Sequence, residues 1–364
     1  GLPNISIPLT EVRAKGFTIP VSLSYHAGGN KPDQHPGWVG LGWSLQAGGS
    51  IVRVINGMKD EMSKEEYKAN HDPGYLYRIA EVQNEIDWNS NTELSLNSMH
   101  WFDNEPDEYI ISAPGIHASF YITGENSIAV VSRDESAIEL EGYEIGDDYD
   151  ERGIEMYPGK SPKPLYARRY SYLKSFIIRD KYGNRYIFGG DDSAIEYSVI
   201  QYPIIDDSEK EDPDIFKWEN QGNWKAIATA NSWMLTRIER TDGEVVEFEY
   251  EKNGVPIVMS DVHHGEIFVS DDRASLEHNS STYKRSRTGL KTNLSFHFLL
   301  PSYLTRIRCL VSGDELSFAT SDSIELDYRI QEEDFTLLSC NLSGESVGPF
   351  TYAQFAAENR YRKL

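Results

Sequence analysis

The sequence predicts an all-β protein, an extended or wrapped antiparallel sheet built from repeated hairpins, with one or two short peripheral helices. Three observations carry this expectation. Aromatic residues make up 12% of the chain, with 22 Tyr alongside 28 Gly, a mixture that suits many short strands separated by turns. Several runs alternate apolar and polar residues with period two, as half-buried strands do. A strand-turn-strand unit recurs three times along the chain.

In chain order, the first clear strand runs from Phe17 to Tyr25, where Phe17, Ile19, Val21, Leu23 and Tyr25 alternate with smaller or polar residues. Pro20 lacks an N–H, which places this strand at a sheet edge or beside an irregularity. Between Gly28 and Gly49 lie seven glycines interleaved with Trp38, Val39, Leu41, Trp43 and Leu45. In this block Gly40, Gly42, Gly48 and Gly49 let Trp38 and Trp43 pack directly on backbone and let the chain turn with positive φ. A phosphate-binding reading of Gly40 and Gly42 is weak, because the residues after Trp43 do not open a helix. Ser63 and Glu66 are spaced as a capping box, predicting a short peripheral helix; a second helix candidate spans Tyr352 to Arg360.

The repeated unit is a leucine-led strand, a turn glycine and a phenylalanine five residues later: Leu173, Gly183, Phe188; Leu235, Gly243, Phe248; Leu304, Gly313, Phe318. Asp242-Gly243 is a strong hairpin signal. Such units cannot hide their apolar faces alone and stack against neighbours. Alternation returns at Leu294 to Leu300 and at Ile324 to Ile330, and Tyr361 to Leu364 resembles the opening of a further strand. From Asp191 to Asn220, ten Asp or Glu stand against Lys210 and Lys217, so a long surface loop is expected there. The two regions are 1–130, with the Gly/Trp-rich block, and 131–364, the hairpin region with acidic insertions, continuous with the first.

Charge narrows the partners. The 58 acidic against 35 basic residues give a net charge of -23, which repels phosphate backbones and anionic lipid. No nucleic acid is expected, and no apolar run approaches the roughly 20 residues that span a bilayer. The start at Gly1 without Met leads us to expect a processed or engineered start, with any signal peptide already removed. Two cysteines, Cys309 and Cys340, are too few for a disulfide framework. Cys309 lies in an apolar strand, where a buried free thiol is the blander reading and one bridge the alternative.

Candidate chemistry is sparse. Asp103, Glu105 and Asp107 alternate, as calcium binding or paired acid-base work would need, although Pro106 favours a structural turn. Adjacent His263 and His264 with Glu266 invite a metal reading, yet on a strand they would face opposite ways, and a polar turn is preferred; His26 reads as a strand-end residue. Asp147-Asp148 and Asp206-Asp207 read as solvated charge. No nucleophile elbow or His-Glu-x-x-His pattern occurs, so no catalytic residue, metal or cofactor is assigned.

Four stretches together resemble the N-terminal region of Rhs or YD-repeat proteins and their insecticidal toxin-complex relatives. They are Ser6 to Leu9 with Ile19 to Tyr25; Val39 to Leu45 with Gly48, Gly49 and Ile51 to Arg53; Asp103 to Asp107 leading to Phe120; and Tyr186 to Gly190, Ala194 to Tyr197 and Ser232 to Thr236. The resemblance implies a large hollow or wrapped β-shell, exported from a bacterial cell, which in toxic members encloses a C-terminal effector. The self-cleaving core and effector of that family have no counterpart here, nor does the dense form of its repeats. The expected function is a non-catalytic shell or cell-surface interaction segment, partnered by the remainder of the same polypeptide. A carbohydrate-binding module and a glycoside hydrolase are the alternatives.

Overall fold

A computed structural model describes residues 4–26, 28, 38–62, 74–76, 103, 105–124, 127–131, 137–147, 154–157, 165–167, 169, 171–201, 227–252, 257–264, 292–319, 321–326 and 360–363. The strands are β1 (Asn4–Ala14), β2 (Phe17–His26), β3 (Trp43–Gln46), β4 (Ser50–Val54), β5 (Glu108–Ala113), β6 (Ile116–Gly124) and β7 (Ser127–Val131). They continue as β8 (Ile138–Asp147), β9 (Ile154–Tyr157), β10 (Leu165–Ala167), β11 (Ser171–Asp180), β12 (Arg185–Gly189), β13 (Ile195–Gln201) and β14 (Ile227–Glu239). The last are β15 (Val245–Lys252), β16 (Ile257–His264), β17 (Thr292–Leu300), β18 (Ser302–Cys309), β19 (Glu315–Ser317), β20 (Ser321–Leu326) and β21 (Arg360–Lys363). All their pairings are antiparallel, as the all-β expectation requires.

Strand β14 organises the molecule, because its two halves belong to different ladders. Its first half pairs with β13 on one side and with β4 on the other. Its second half pairs with β12 and β15. From β14 one arm runs through β4, β5 and β6 to β7, and another through β12 and β11 to β8. The ends of these arms, β7 and β8, lie beside each other, so the sheet curls into a nearly closed barrel.

Alternation fills this barrel. Tyr109 and Ile111 of β5, Phe120 and Ile122 of β6, Phe176 and Ile178 of β11, and Trp233 and Leu235 of β14 are all essentially inaccessible. The rings interlock: Tyr109 stacks on Phe120 at 5.4 Å, and Phe176 meets Trp233 edge-on at 4.9 Å. The Trp233 indole N–H donates to the Leu173 carbonyl at 2.7 Å, which satisfies the one polar atom this large side chain takes inside.

The three predicted hairpins are present as β11–β12, β14–β15 and β18–β19, and they lie side by side, since β12 pairs with β14 and β15 with β18. Leu173, Leu235 and Leu304 are buried at 0%, 0% and 4% exposure. Phe188 lies opposite Leu235, and Tyr250 opposite Leu304, so each unit covers the next one's leucine. Turn follows turn as well. The residue after each turn glycine accepts a backbone N–H from the neighbouring turn: Asn184 from Thr241 at 3.1 Å, Glu244 from Val311 at 2.9 Å and Ser312 at 3.1 Å. Asp314 does the same with Arg13 at 2.6 Å, so the β1–β2 hairpin docks where the turn series ends.

Several expectations change. β2 is the middle strand of the β1–β2–β3 sheet, not an edge; β3 reaches only Ser22–Tyr25, so Pro20 faces no ladder partner on that side, and β1 bulges between Pro8 and Thr10. The acidic surface loop expected over 191–220 is not what its first part forms: Asp192–Ala194 make a 3-10 turn and β13 follows, with Ile195 and Tyr197 buried, and 202–220 lie outside the described residues. Apolar alternation in Ile195 and Tyr197 outweighs the surrounding charge. His263 and His264 end β16 as strand residues opposite Asn293 and Thr292, not as a turn. Two expectations hold: Cys309 ends β18 with a buried free thiol, and Arg360–Lys363 is a strand. The helix candidate at 63–69, together with Glu266, Cys340 and residues 206–207, lies outside the described residues, as does the candidate Tyr352 to Arg360 except for Arg360, which opens strand β21 and is not helical.

Candidate functional site

The most concentrated chemistry lies against β4 and β5. In β4 the polarity is inverted: Ile51 and Arg53 face inward, while Val52 and Val54 are 41% and 43% exposed. Arg53 is thereby carried beneath the chain that follows β4, where Lys59, Asp60, Glu61 and Met62 are all buried. Its guanidinium lies 5.4 Å from the Trp233 ring centre, donates to Glu61 at 2.6 Å and to the Ala230 carbonyl, and is 3.6 Å from Asp107.

Asp60 and Asp107 clasp each other's backbone. The Asp60 N–H donates to an Asp107 carboxylate oxygen at 3.2 Å, and the Asp107 N–H donates to Asp60 at 3.0 Å. Asp107 also accepts the Asn56 N–H at 2.9 Å, and Tyr109 donates its hydroxyl to Asp60 at 3.2 Å. Lys59 donates to the Ser171 carbonyl at 2.9 Å, tying this segment to β11. One oxygen of Glu61 and one of Asp103 are buried without a hydrogen-bond donor.

Burial dominates the electrostatics here. It pushes Asp103 up to about 6 against backbone hydrogen bonds that pull it down. It raises Asp107 against the attraction of Arg53, and raises Asp60 with the added repulsion of Asp107. Tyr109 is held far above the ordinary phenol value for the same reason.

A second polar cluster joins β13, β15 and β18. Arg169 lies 4.6 Å from the Tyr172 ring centre, pairs with Asp192 at 2.5 Å and donates to the Tyr197 hydroxyl at 3.0 Å. Lys252 donates to the Ile195 carbonyl, to the Leu300 carbonyl at 3.0 Å and to the Ser302 hydroxyl at 3.1 Å. Burial lowers its pKa to about 8, with Glu196 opposing. Lys252 spends its donors on two carbonyls and a hydroxyl at strand ends, and Arg169 on Asp192 and Tyr197, which makes this cluster a staple between strands.

The residues singled out from sequence do not converge on one site. Asp103 and Asp107 are buried, whereas Glu105 between them is exposed, so their alternation does not aim three carboxylates one way. Both oxygens of Asp107 are taken by backbone N–H groups, and among the described residues no three His, Cys, Asp or Glu side chains are grouped to hold a metal. Gly40 and Gly42 precede a strand; Trp43 packs on Tyr25 at 5.0 Å, and Trp38 meets Tyr303 edge-on at 5.5 Å. Gly48 and Gly49 lie against Phe248 and the Ser112–Ala113 backbone. Gly183, Gly243 and Gly313 occupy the hairpin turns with positive φ; Phe188 and Phe248 are buried, and Phe318 packs half-buried on the same core. Sequence reasoning missed Arg53, Asp60 and Glu61. The inward arginine flanked by outward valines in Ile51–Val54 was the available signal.

No family model matches the chain, and no curated protein matches it. Among solved structures, it is similar to one described as the crystal structure of TcdB2-TccC3, with TM-score 0.29 and 14% identity over 85% of this chain and 10% of that one. It is also similar to the N-terminal domain of effector protein SpvB from Salmonella typhimurium strain LT2, with TM-score 0.30 and 14% identity over 85% of this chain. The chain thus spans about a tenth of the first and 64% of the second.

Proposed function

We propose that the chain is a non-catalytic wall segment of an exported β-shell, partnered by the remainder of its own polypeptide. The observation that carries this reading is the hairpin array itself, in which the first and second units each cover the following unit's leucine and each turn is clamped to the next. Such stacking makes a wall that propagates from unit to unit. The sequence resemblance to Rhs and YD-repeat proteins supports it. So does the use of the buried acids, whose carboxylates take donors from the chain's own backbone and from Tyr109 and Arg53.

Electron cryomicroscopy of the full natural gene product tests the proposal. The expected result is further strands paired onto the outer edge of β19 and a continuous wall; β19 ending the sheet against solvent would overturn it. The hydrolase alternative predicts paired carboxylates across an open cleft, so incubation with a polysaccharide panel is expected to yield no new reducing ends.

A second reading, carbohydrate binding, is favoured by one observation: Tyr25 and Trp43 form a half-buried ring pair on the β1–β2–β3 sheet, a surface of the kind that stacks on sugars. Glycan-array binding that disappears in Trp43→Ala would establish it, and a blank array would remove it.

A further inference from the structure

The Asp60–Asp107 clasp is built from two acids that face each other in a site closed to water, with exposure of 0% each. Charged and polar groups reach it from the elements around it. β4 supplies Arg53, committed to Glu61 at 2.6 Å. The following segment supplies Glu61 and Lys59, whose ammonium donates to the β11 carbonyl of Ser171. The chain before β5 supplies Asp103, with Glu105 exposed to solvent; β5 supplies Tyr109, and Tyr75 lies near enough to feel both Asp60 and Asp103. β14 contributes the Ala230 carbonyl and the face of Trp233. Four buried carboxyl groups thus share two buried cations. Two of those carboxyl groups also keep an oxygen without a donor. Neighbouring carboxylates in a low-dielectric site cannot all ionise at ordinary cost.

We propose that Asp60 and Asp107 form a proton-dependent latch, which holds the Asn56–Met62 segment against the end of the barrel while one of them keeps its proton and loosens it when both are charged. Three of the hydrogen bonds that fix the segment to the chain entering β5, from the Asn56 and Asp60 N–H groups to Asp107 and from the Asp107 N–H to Asp60, end on these two carboxyl groups, so mutual repulsion acts where the segment is held. The sign follows from burial raising both acids. The folded chain keeps protons that the unfolded chain releases above the ordinary carboxylate value, so the latch is strongest at low pH and weakens as pH rises through and beyond neutrality. This device is independent of what the chain encloses or binds.

Hydrogen exchange on the whole chain, corrected for intrinsic rates, tests the latch. From about pH 5.5 to about pH 9, protection of peptides covering residues 56–62 is expected to fall about tenfold relative to the β11–β12 hairpin. Asp60→Asn and Asp107→Asn keep an acceptor oxygen but cannot ionise, and each is expected to flatten that dependence. Unchanged protection across this range in the natural chain, or an undiminished fall in both variants, overturns the proposal. Infrared spectra of the natural chain guard against variants that fail to fold: a protonated-carboxyl band is expected near neutral pH and lost in alkali, and its absence near neutral pH also overturns the latch.

Discussion

Glu244 shows how one side chain can hold several turns together. Its carboxylate accepts backbone N–H groups from Lys15 at 2.9 Å, Val245 at 3.2 Å, Val311 at 2.9 Å and Ser312 at 3.1 Å. Burial alone would raise its pKa, but the donors from Lys15, Val311 and Ser312 outweigh it and hold the group below the ordinary value. Glu244→Gln places an amide N–H₂ among these donors and is expected to cost about 1–3 kcal/mol, read as a shift in urea midpoint at constant slope. Because the folded value is depressed, this contribution is present above the unfolded value of 4.5 and is lost as pH falls through the folded one. The gap between natural chain and variant should therefore narrow in acid, the opposite trend to the Asp60–Asp107 pair. Trp233→Phe is a companion case. It strips the donor from the buried Leu173 carbonyl, with an expected loss of about 1–3 kcal/mol before any cavity is counted.

At the scale of elements, two glycines separate conformational strain from steric clash. Gly243 has φ of 87° and open space where a Cβ would go, whereas the Cβ of an alanine at residue 49 would lie 2.5 Å from the Ser112 carbonyl oxygen. Gly243→Ala is expected to cost about 1–2 kcal/mol, the price of a left-handed side chain. Gly49→Ala must push β4 away from β5 and is expected to cost more, which denaturant melts of the two variants will rank. These sites also show what was legible in sequence. The hairpins declared themselves through Asp242-Gly243 and flanking apolar strands, because a local turn fixes its own partner. β2 was legible from alternation alone. β5 to β8 were not, because their order around the barrel depends on β4 meeting β14, as in the pairing of Val52 with Ser232. The acid cluster was half legible for the same reason: Asp103 and Asp107 stand close in sequence, but Asp60 and Ala230 reach them only through the fold.

For the whole molecule, the double membership of β14 has an energetic consequence. Val12 and Ile19 of the N-terminal hairpin, Phe120 of the barrel and Ile307 of the third hairpin belong to one contiguous buried core. Its β4–β7 arm and its hairpin arm therefore cannot lose packing independently, since each is anchored on the same strand. Leu235→Ala opens a space where the second half of β14 crosses Phe188, and a loss of about 2–5 kcal/mol is expected. Phe120→Ala, on the other arm, is expected to cost about 3–5 kcal/mol. The discriminating measurement is the shape of unfolding, followed by tryptophan fluorescence and by far-ultraviolet circular dichroism. If β14 couples the two arms, both probes will move together through one transition in each variant. Separate transitions, with Leu235→Ala shifting only one, would mean that the arms fold as independent units and that β14 joins them without coupling them.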